Sequence, residues 1–322
     1  MKTFRATWIL GGIFLLIAVY VYFVEIEGYK KKQAVREQKE KVLVFEKEKV
    51  ESVILSNAHG LFEAKRSGED GWTLVKPFAA PADKQVWNSI LDAVFDLKST
   101  RVILENGGDV APYGLQAPQT RAEIQLKGSP DRLILRVGDE NPVGDSLFVT
   151  DGAAQKVVLV PKSISYQLNK TLKQLREKRL FSVNTAETQE IQIQKQKRAI
   201  VLKKTDEKWF LASEKTKQEA QPEKVKEILD AIHFLEVSEF EDEDPKDISK
   251  FGLKNPQLVV SFRDAKATQT EVLFGNKEKT MVYVAKKAQK PVYKVNAYVL
   301  NRIPTDPEKI IKKEEKKTKS SK

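Results

Sequence analysis

An unusual hexapeptide occurs twice in this chain, as YGLQAP at Tyr113–Pro118 and as FGLKNP at Phe251–Pro256. The two copies start 138 residues apart. A tryptophan precedes each hexapeptide by 41 or 42 residues, and a glycine follows its aromatic residue by 25 or 24: Trp72 and Gly138 for the first, Trp209 and Gly275 for the second. Landmarks that recur in register indicate an internal duplication with a period near 137 residues. Whatever one half folds into, the other half must fold into as well.

Each half contains one segment with apolar residues at helical spacing, from Val86 to Leu97 and from Val225 to Leu235. Short runs that alternate apolar and polar residues surround these segments, as half-buried antiparallel strands do. A second, more polar helix is predicted from Ile164 to Leu175. The pattern therefore predicts an α+β fold with two homologous domains, each a mainly antiparallel sheet with a packed helix.

The hexapeptide is best explained as a structural corner. Its aromatic residue and its leucine are apolar and suited to packing on the domain core. The glycine between them allows a backbone conformation that other residues resist, and the proline leads into an extended strand. The predicted structural repeat residues are Trp72, Tyr113, Gly114, Leu115, Pro118 and Gly138 in the first copy, and Trp209, Phe251, Gly252, Leu253, Pro256 and Gly275 in the second. The alternative is a functional loop.

Near the N-terminus, the segment from Trp8 to Val24 has seventeen residues and no charge. As a helix it would extend about 25 Å, the short end of a membrane span. A cleaved signal peptide is the alternative, but no small-x-small cleavage site follows the segment. We therefore predict an uncleaved transmembrane anchor followed by a charged helical stalk. Positive charges flank the segment on both sides, so the charge pattern leaves its orientation undecided.

These features divide the chain into four predicted segments. They are an anchor and stalk at 1–43, a first repeat domain at 44–181, a second repeat domain at 182–305, and a disordered basic tail at 306–322.

The charge distribution does not favour nucleic-acid binding. The formal net charge is +11, but residues 1–43 and 308–322 carry +4 each, which leaves +3 for the folded body. Basic flanks of this kind suit a position beside anionic lipid headgroups. The absence of cysteine excludes disulfides, thiolate metal sites and cysteine nucleophiles.

Few residues are suited to catalysis or metal binding. The two histidines, His59 and His233, lack partners at the spacings that zinc or acid–base sites require. The acidic run from Glu239 to Asp247 has no internal glycine for a calcium loop and is predicted to be a solvated loop. We therefore predict no catalytic residue, no cofactor and no metal site, and expect the protein not to be an enzyme.

Taken in order, the landmarks resemble the domain-of-unknown-function 4340 family. They follow an N-terminal span and are Trp72–Leu74, Ala82–Asp83, Tyr113–Pro118, Leu135–Gly138 and Phe148–Val160, with Leu175–Phe181 as the link to the second copy. The resemblance implies a bacterial protein, in many cases encoded beside ABC-type export permeases, including systems similar to those of gliding motility. It also implies an auxiliary, membrane-anchored component with its body outside the cytoplasm, and no catalytic residues.

The resulting expectation is a non-catalytic accessory protein of the bacterial inner membrane, with a periplasmic or otherwise extracytoplasmic body. Its expected partner is a subunit of an ABC-type transporter. One alternative is a glycan- or lipid-binding module, with a cleft between the two domains lined by Trp87, Tyr113 or other exposed aromatic residues. Another is an enzyme of unrecognised type, which would show clustered carboxylates in a deep pocket.

Overall fold

The computed structural model describes residues 3–22, 29, 40–68, 71–152, 156–181, 183–212 and 218–312. The chain forms two compact units, Met1–Arg176 (unit 1) and Glu177–Lys322 (unit 2).

Unit 1 contains, within its described residues, one antiparallel sheet of nine strands. The strands are β1 (Val50–Asn57), β2 (Gly60–Ser67), β3 (Gly71–Lys76), β4 (Ala80–Pro81), β5 (Arg101–Leu104), β6 (Thr120–Leu126), β7 (Arg132–Glu140), β8 (Ser146–Asp151) and β9 (Val157–Pro161). Their order across the sheet is β4-β3-β2-β1-β6-β7-β8-β9-β5. The helices are α1 (Thr3–Tyr20), α2 (Lys84–Phe95), α3 (Ser163–Leu168) and α4 (Leu172–Leu175).

Helix α2 covers one face of this sheet. Its N-cap, Asp83, accepts hydrogen bonds from the backbone N–H groups of Gln85 and Val86, which would otherwise lack partners inside the helix. The buried side chains of α2 recur every three or four residues: Trp87, Ile90, Leu91 and Val94. They pack in one core with alternate residues of the strands. Burying each such side chain contributes about 2 kcal/mol, so the apolar stripe holds the helix against the sheet.

Unit 2 repeats this topology element by element. Its strands are β10 (Thr188–Lys195), β11 (Arg198–Thr205), β12 (Lys208–Leu211), β13 (Gln218–Glu219), β14 (Glu239–Asp242), β15 (Leu258–Asp264), β16 (Gln269–Glu278), β17 (Met281–Lys286) and β18 (Val292–Asn296). Its helices are α5 (Pro222–His233) and α6 (Val299–Arg302). The sheet order is β13-β12-β11-β10-β15-β16-β17-β18-β14, the order of unit 1 with every number raised by nine. The predicted α+β class, mostly β, is confirmed.

Each unit ends in a return segment that closes the fold beside its long helix. In unit 1, the Leu175 carbonyl accepts a hydrogen bond from the Asp83 N–H at 3.0 Å. In unit 2, the Ile310 carbonyl accepts one from the Gln221 N–H at 2.8 Å. Leu175 and Ile310 are both fully buried. The two copies therefore share this closing segment as well as the sheet and the helix. We call it the strap; it contains Leu175 in unit 1 and Ile310 in unit 2.

Two predictions about segments next to the repeats differ from the structure. The helix predicted from Ile164 to Leu175 is two short helices, because the chain breaks after Leu168 and Thr171 caps a new turn with its side chain. The tail predicted to be disordered from residue 306 begins with ordered structure. Residues 307–309 form a 3-10 turn, and Ile310 is buried. Both belong to the strap that closes unit 2. Residues 313–322 lie outside the described residues.

The predicted anchor lies only partly within the described residues. Trp8 is exposed on helix α1, and Val24 lies outside them, as do residues 30–39 of the predicted stalk. In the part of the chain that the structure describes, no helix is both long and apolar enough to cross a membrane. Closer to the sheet, Leu43 and Phe45 are buried in the core of unit 1.

Candidate functional site

The two hexapeptides form the same corner. In each copy a 3-10 turn, Ala111–Tyr113 or Ser249–Phe251, ends at a glycine with left-handed backbone. The φ angle is 67° at Gly114 and 72° at Gly252, a region that side chains with a Cβ rarely occupy. This conformation turns the chain so that the next residue, Leu115 or Leu253, is buried. Pro118 and Pro256 follow at half-buried positions, two residues before strands β6 and β15.

The corner packs on the face of the sheet that is opposite the helix. In β8, Leu147 and Val149 belong to the helix-covered core, so Phe148 between them faces the other side. The ring of Tyr113 lies 4.8 Å from that of Phe148. In unit 2 the rings of Phe251 and Tyr283 are 5.0 Å apart, in a small separate core that includes Leu253. The corner thus supplies each sheet with its second apolar layer.

A second glycine makes room for this packing. Gly138 lies at a register shift between β7 and β8, where a bulge brings the corner onto the strand. A Cβ at Gly138 would overlap the carbonyl oxygen of Tyr113, and one at Gly275 would overlap that of Phe251. The aromatic residue, the leucine and the distant glycine of each repeat therefore meet at one contact.

The two landmark tryptophans are structural neighbours of the helices. Trp72 is buried, lies 6.1 Å from Trp87 between ring centroids, and donates its indole hydrogen bond to Asn88 at 2.7 Å. Trp209 is half-buried against the core of unit 2. Trp87 itself is fully buried, and its indole N–H donates to the Leu175 carbonyl at 3.1 Å. Trp87 is therefore not available to line an open cleft, and the ring of Tyr113 packs against that of Phe148.

The histidines serve local structure. The His59 N–H donates to the Asn57 side chain at 2.8 Å, within the β1–β2 turn. His233 is the last residue of α5, and its Nδ1 lies 2.8 Å from the Val183 carbonyl oxygen. Among the residues that the structure describes, no three His, Asp or Glu side chains are arranged to hold a metal ion.

Unit 2 contains a lysine that is surrounded by three carboxylates. Lys294 Nζ lies 2.8 Å from Glu278, 3.0 Å from Glu241 and 3.4 Å from Glu239. The hydrogen bond from Lys294 lowers the pKa of Glu278, and the bonds to the glutamates raise the pKa of Lys294. Burial raises the pKa of Tyr283, whose hydroxyl donates to Glu278 at 2.8 Å. The acidic run predicted to be a loop thus begins as strand β14, because its glutamates pair with this lysine.

We expect Lys294→Leu to lower the free energy of unfolding of unit 2 at pH 7. The variant should also reverse part of the dependence of this free energy on pH. A carboxyl with a lowered folded pKa contributes stability above its ordinary value, 4.5 for Glu278, and loses it as pH falls through the folded pKa. Without the lysine, three carboxylates repel one another until they are protonated. The stability difference between wild type and variant, measured by urea unfolding, should shrink between pH 7 and about pH 3.

The control for this experiment is Lys290→Leu. Lys290 Nζ lies 2.9 Å from Asp244, and both side chains are largely exposed. This pair should contribute little at any pH. A Lys294→Leu deficit that stays constant with pH would contradict the electrostatic explanation and indicate lost packing instead.

The surfaces of the two units differ beside the end of the long helix. In unit 1 a cavity of about 410 Å³ lies between the end of α2 and the start of α3. Its apolar floor includes Leu97 and Ile164, and its rim includes Asp96 and Ser163. We call this feature the helix groove.

The corresponding rim positions in unit 2 are aromatic. Asp96 is the C-cap of α2, and Phe234 is the C-cap of α5. Ser163 directly precedes the buried Ile164, just as Tyr298 directly precedes the buried Val299. Phe234 is 57% exposed and Tyr298 is 66% exposed. The shared fold does not need these rings, since unit 1 forms it with an aspartate and a serine.

Both rings extend from fixed backbone. Phe234 packs edge-on against His233, with 4.6 Å between ring centroids. The Tyr298 N–H donates to the Asn296 side chain at 2.9 Å. The sequence predictions did not single out Phe234 or Tyr298. The available signal was an aromatic residue in the second copy at a position where the first copy is polar.

The fold and these sites define a tandem-duplicated, mostly β protein whose repeated residues serve its architecture. The chain belongs to the family described as a domain of unknown function (DUF4340), whose model matches residues 28–118, 72–241 and 209–322 in three overlapping segments. The overlap agrees with a tandem repeat and confirms the predicted family. A comparison with curated proteins found no match to this chain.

Proposed function

We propose that this protein is a non-catalytic, membrane-anchored accessory component of an ABC-type transport system. Its body lies outside the cytoplasm and binds a transporter subunit through the exposed rings of Phe234 and Tyr298 in unit 2. The observation that carries this proposal is the pair of exposed aromatic side chains, Phe234 and Tyr298, at positions where the sister domain is polar.

Exposed aromatic side chains are suited to protein recognition. Rings bury a large area at little cost in side-chain entropy, and they are enriched among the residues that dominate binding energies. Phe234 and Tyr298 are each next in sequence to a buried apolar residue, Leu235 and Val299. A partner that covers both rings would bury them, and each ring would then contribute about 2 kcal/mol or more.

Membrane anchoring rests on the uncharged segment from Trp8 to Val24 and on the basic residues around it. An anchor of this kind holds the units near other membrane proteins and raises the effective concentration of any membrane-embedded partner. A small binding surface would then be sufficient for stable association.

The test is a double variant that copies unit 1 into unit 2, Phe234→Asp with Tyr298→Ser. The full chain is expressed with an affinity tag in a bacterium that encodes it, extracted in mild detergent, and its co-purifying proteins are identified by mass spectrometry. We expect the wild type to retain a transporter subunit and the variant to lose at least about nine tenths of it, because both aromatic anchors are removed. The variant should fold, since the same residues occur at these positions in unit 1.

The matched control is Tyr166→Ser, which removes another exposed aromatic ring, on α3 of unit 1. It should retain the partner at the wild-type level. Recovery of intact wild-type protein without any membrane partner would contradict the proposed function. Loss of the partner in both variants would contradict the assignment of the surface.

A further inference from the structure

Two arginines lie side by side on the face of the unit 1 sheet that is opposite the helix. Arg121 of β6 and Arg136 of β7 are directly opposed in the antiparallel pairing of these strands. Their strand neighbours Ala122 and Leu135 belong to the helix-covered core, so both arginines project from the other face. We call Arg121 and Arg136 the arginine pair. Directly opposed like charges destabilise a sheet, so the pair lowers the stability of unit 1 unless negative charge lies beside it.

Unit 2 shows that the fold does not require the arginine pair. Arg121 and Val259 both lie three residues after the proline of their hexapeptide, and Arg136 and Leu273 both lie two residues before the bulge glycine. Val259 and Leu273 are directly opposed on β15 and β16, as the arginines are on β6 and β7. Leu273 packs there against the small core that contains Phe251. One copy therefore has an apolar pair at a position where the other copy has two charges.

The carboxylate beside the arginine pair does not neutralise it. Glu123 lies 3.1 Å from Arg121 Nε, but it also accepts a hydrogen bond from Arg132 Nη1 at 3.0 Å. The Arg121 Nε atom is shielded from solvent and, in the described part of the chain, makes no hydrogen bond despite this short distance. Arg136 donates to the Gly152 carbonyl at 3.4 Å and forms no ion pair with any residue that the structure describes. Three arginines and one glutamate leave a local excess of two positive charges.

We propose that the arginine pair binds a phosphate group, with the hydroxyl of Ser56 as a further donor. Guanidinium groups present N–H donors in a fixed fork that matches the oxygens of a phosphate. Ser56 of β1 is directly opposite Arg121, so the three side chains form a row across three neighbouring strands. All three residues are half-buried, which removes part of their hydration and leaves them accessible to a ligand. A phosphate monoester carries close to two negative charges at pH 7, which matches the local excess.

The phosphate group can belong to a lipid headgroup or to a soluble compound, and two probes distinguish these sources. Isothermal titration calorimetry measures the binding of inorganic phosphate and of dihexanoyl phosphatidic acid to the full chain in a mild non-ionic detergent, at constant ionic strength. We expect the wild type to bind inorganic phosphate with a dissociation constant of about 1 mM. A constant at least about tenfold lower for the lipid supports a headgroup as the ligand, and equal constants support a soluble phosphate compound.

The decisive variant copies unit 2 into this position, Arg121→Val with Arg136→Leu. It should raise the dissociation constant for both probes at least about tenfold, because both guanidinium groups are lost. Without phosphate it should unfold at a higher urea concentration than the wild type, since the opposed like charges are gone. Added phosphate should raise the urea midpoint of the wild type but not that of the variant. The single variant Arg136→Leu should weaken binding about fivefold and keeps the test available if the double variant does not fold.

The matched control is Arg263→Gln, which copies unit 1 into unit 2. Arg263 follows the buried Phe262 on β15 and lies seven residues after the proline of its hexapeptide, as Gln125 does in unit 1. This change also removes a strand arginine from the face opposite the helix, but it should leave both dissociation constants unaltered. Circular dichroism checks the fold of each variant. A wild type that binds neither probe, or a double variant that binds phosphate as the wild type does, would overturn the proposal. These results involve neither the exposed rings of unit 2 nor a transporter subunit.

Discussion

Replacing Gly138 by alanine is expected to lower the free energy of unfolding of unit 1 by about 3 kcal/mol, the upper end of the usual cost of overpacking. The new Cβ would overlap the carbonyl oxygen of Tyr113, which is backbone and cannot rotate away as a side chain could. Relief would require lifting the corner from the sheet and exposing the buried Leu115. Gly275→Ala should have the same effect in unit 2, through Phe251. Urea unfolding of each variant measures the loss.

Gly128→Ala is the control for backbone conformation. Gly128 has a positive φ, 77°, which Gly138 does not share, and open space surrounds the position of its Cβ. Its replacement should cost only the strain of a left-handed residue, about 1 kcal/mol. If Gly138→Ala costs no more than Gly128→Ala, the contact between corner and bulge does not hold the fold together.

The duplication and the α+β class were predictable because their signals are local or periodic. The stripe from Val86 to Val94 has helical spacing, and Asp83 lies where an N-cap should. What the hexapeptide contacts was not predictable. Tyr113 and Gly138 were both singled out as landmarks, but their contact depends on a bulge between β7 and β8, and a bulge leaves no clear trace in residue spacing.

The exposed rings of unit 2 were missed for a different reason. Phe234 lies between Ile232 and Leu235 of the predicted helical segment, but helical spacing places it off the apolar stripe, so the prediction of the core did not include it. Tyr298 follows strand β18, where a single aromatic residue has no distinctive pattern. A comparison of the two copies identifies both residues. Side chains that both copies share are required by the fold, whereas an exposed ring that only one copy has is not.

The strap leads to the second large effect. Ending the chain after Thr305 should destabilise unit 2 by about 4 kcal/mol, the range for emptying a large apolar core position. Ile310 is fully buried, and its loss would leave a cavity beside α5. The truncation also removes both acceptors of Gln221, whose N–H donates to the Ile310 carbonyl and whose side chain donates to the Ile311 carbonyl at 2.7 Å. Urea unfolding of the truncated chain measures the loss of stability, and limited proteolysis shows whether residues 177–305 stay folded.

Ending the chain after Lys312 instead keeps the strap and should change stability by less than about 0.5 kcal/mol. Equal stability of the two truncated chains would show that residues 306–312 do not hold the unit closed. The point variant Ile310→Ala separates the side chain from the backbone contacts, and should cost about 3 kcal/mol by itself. This experiment is possible only in unit 2. In unit 1 the equivalent residue is Leu175, and unit 2 begins two residues later, at Glu177. A truncation there would therefore remove the whole of unit 2 together with the strap of unit 1.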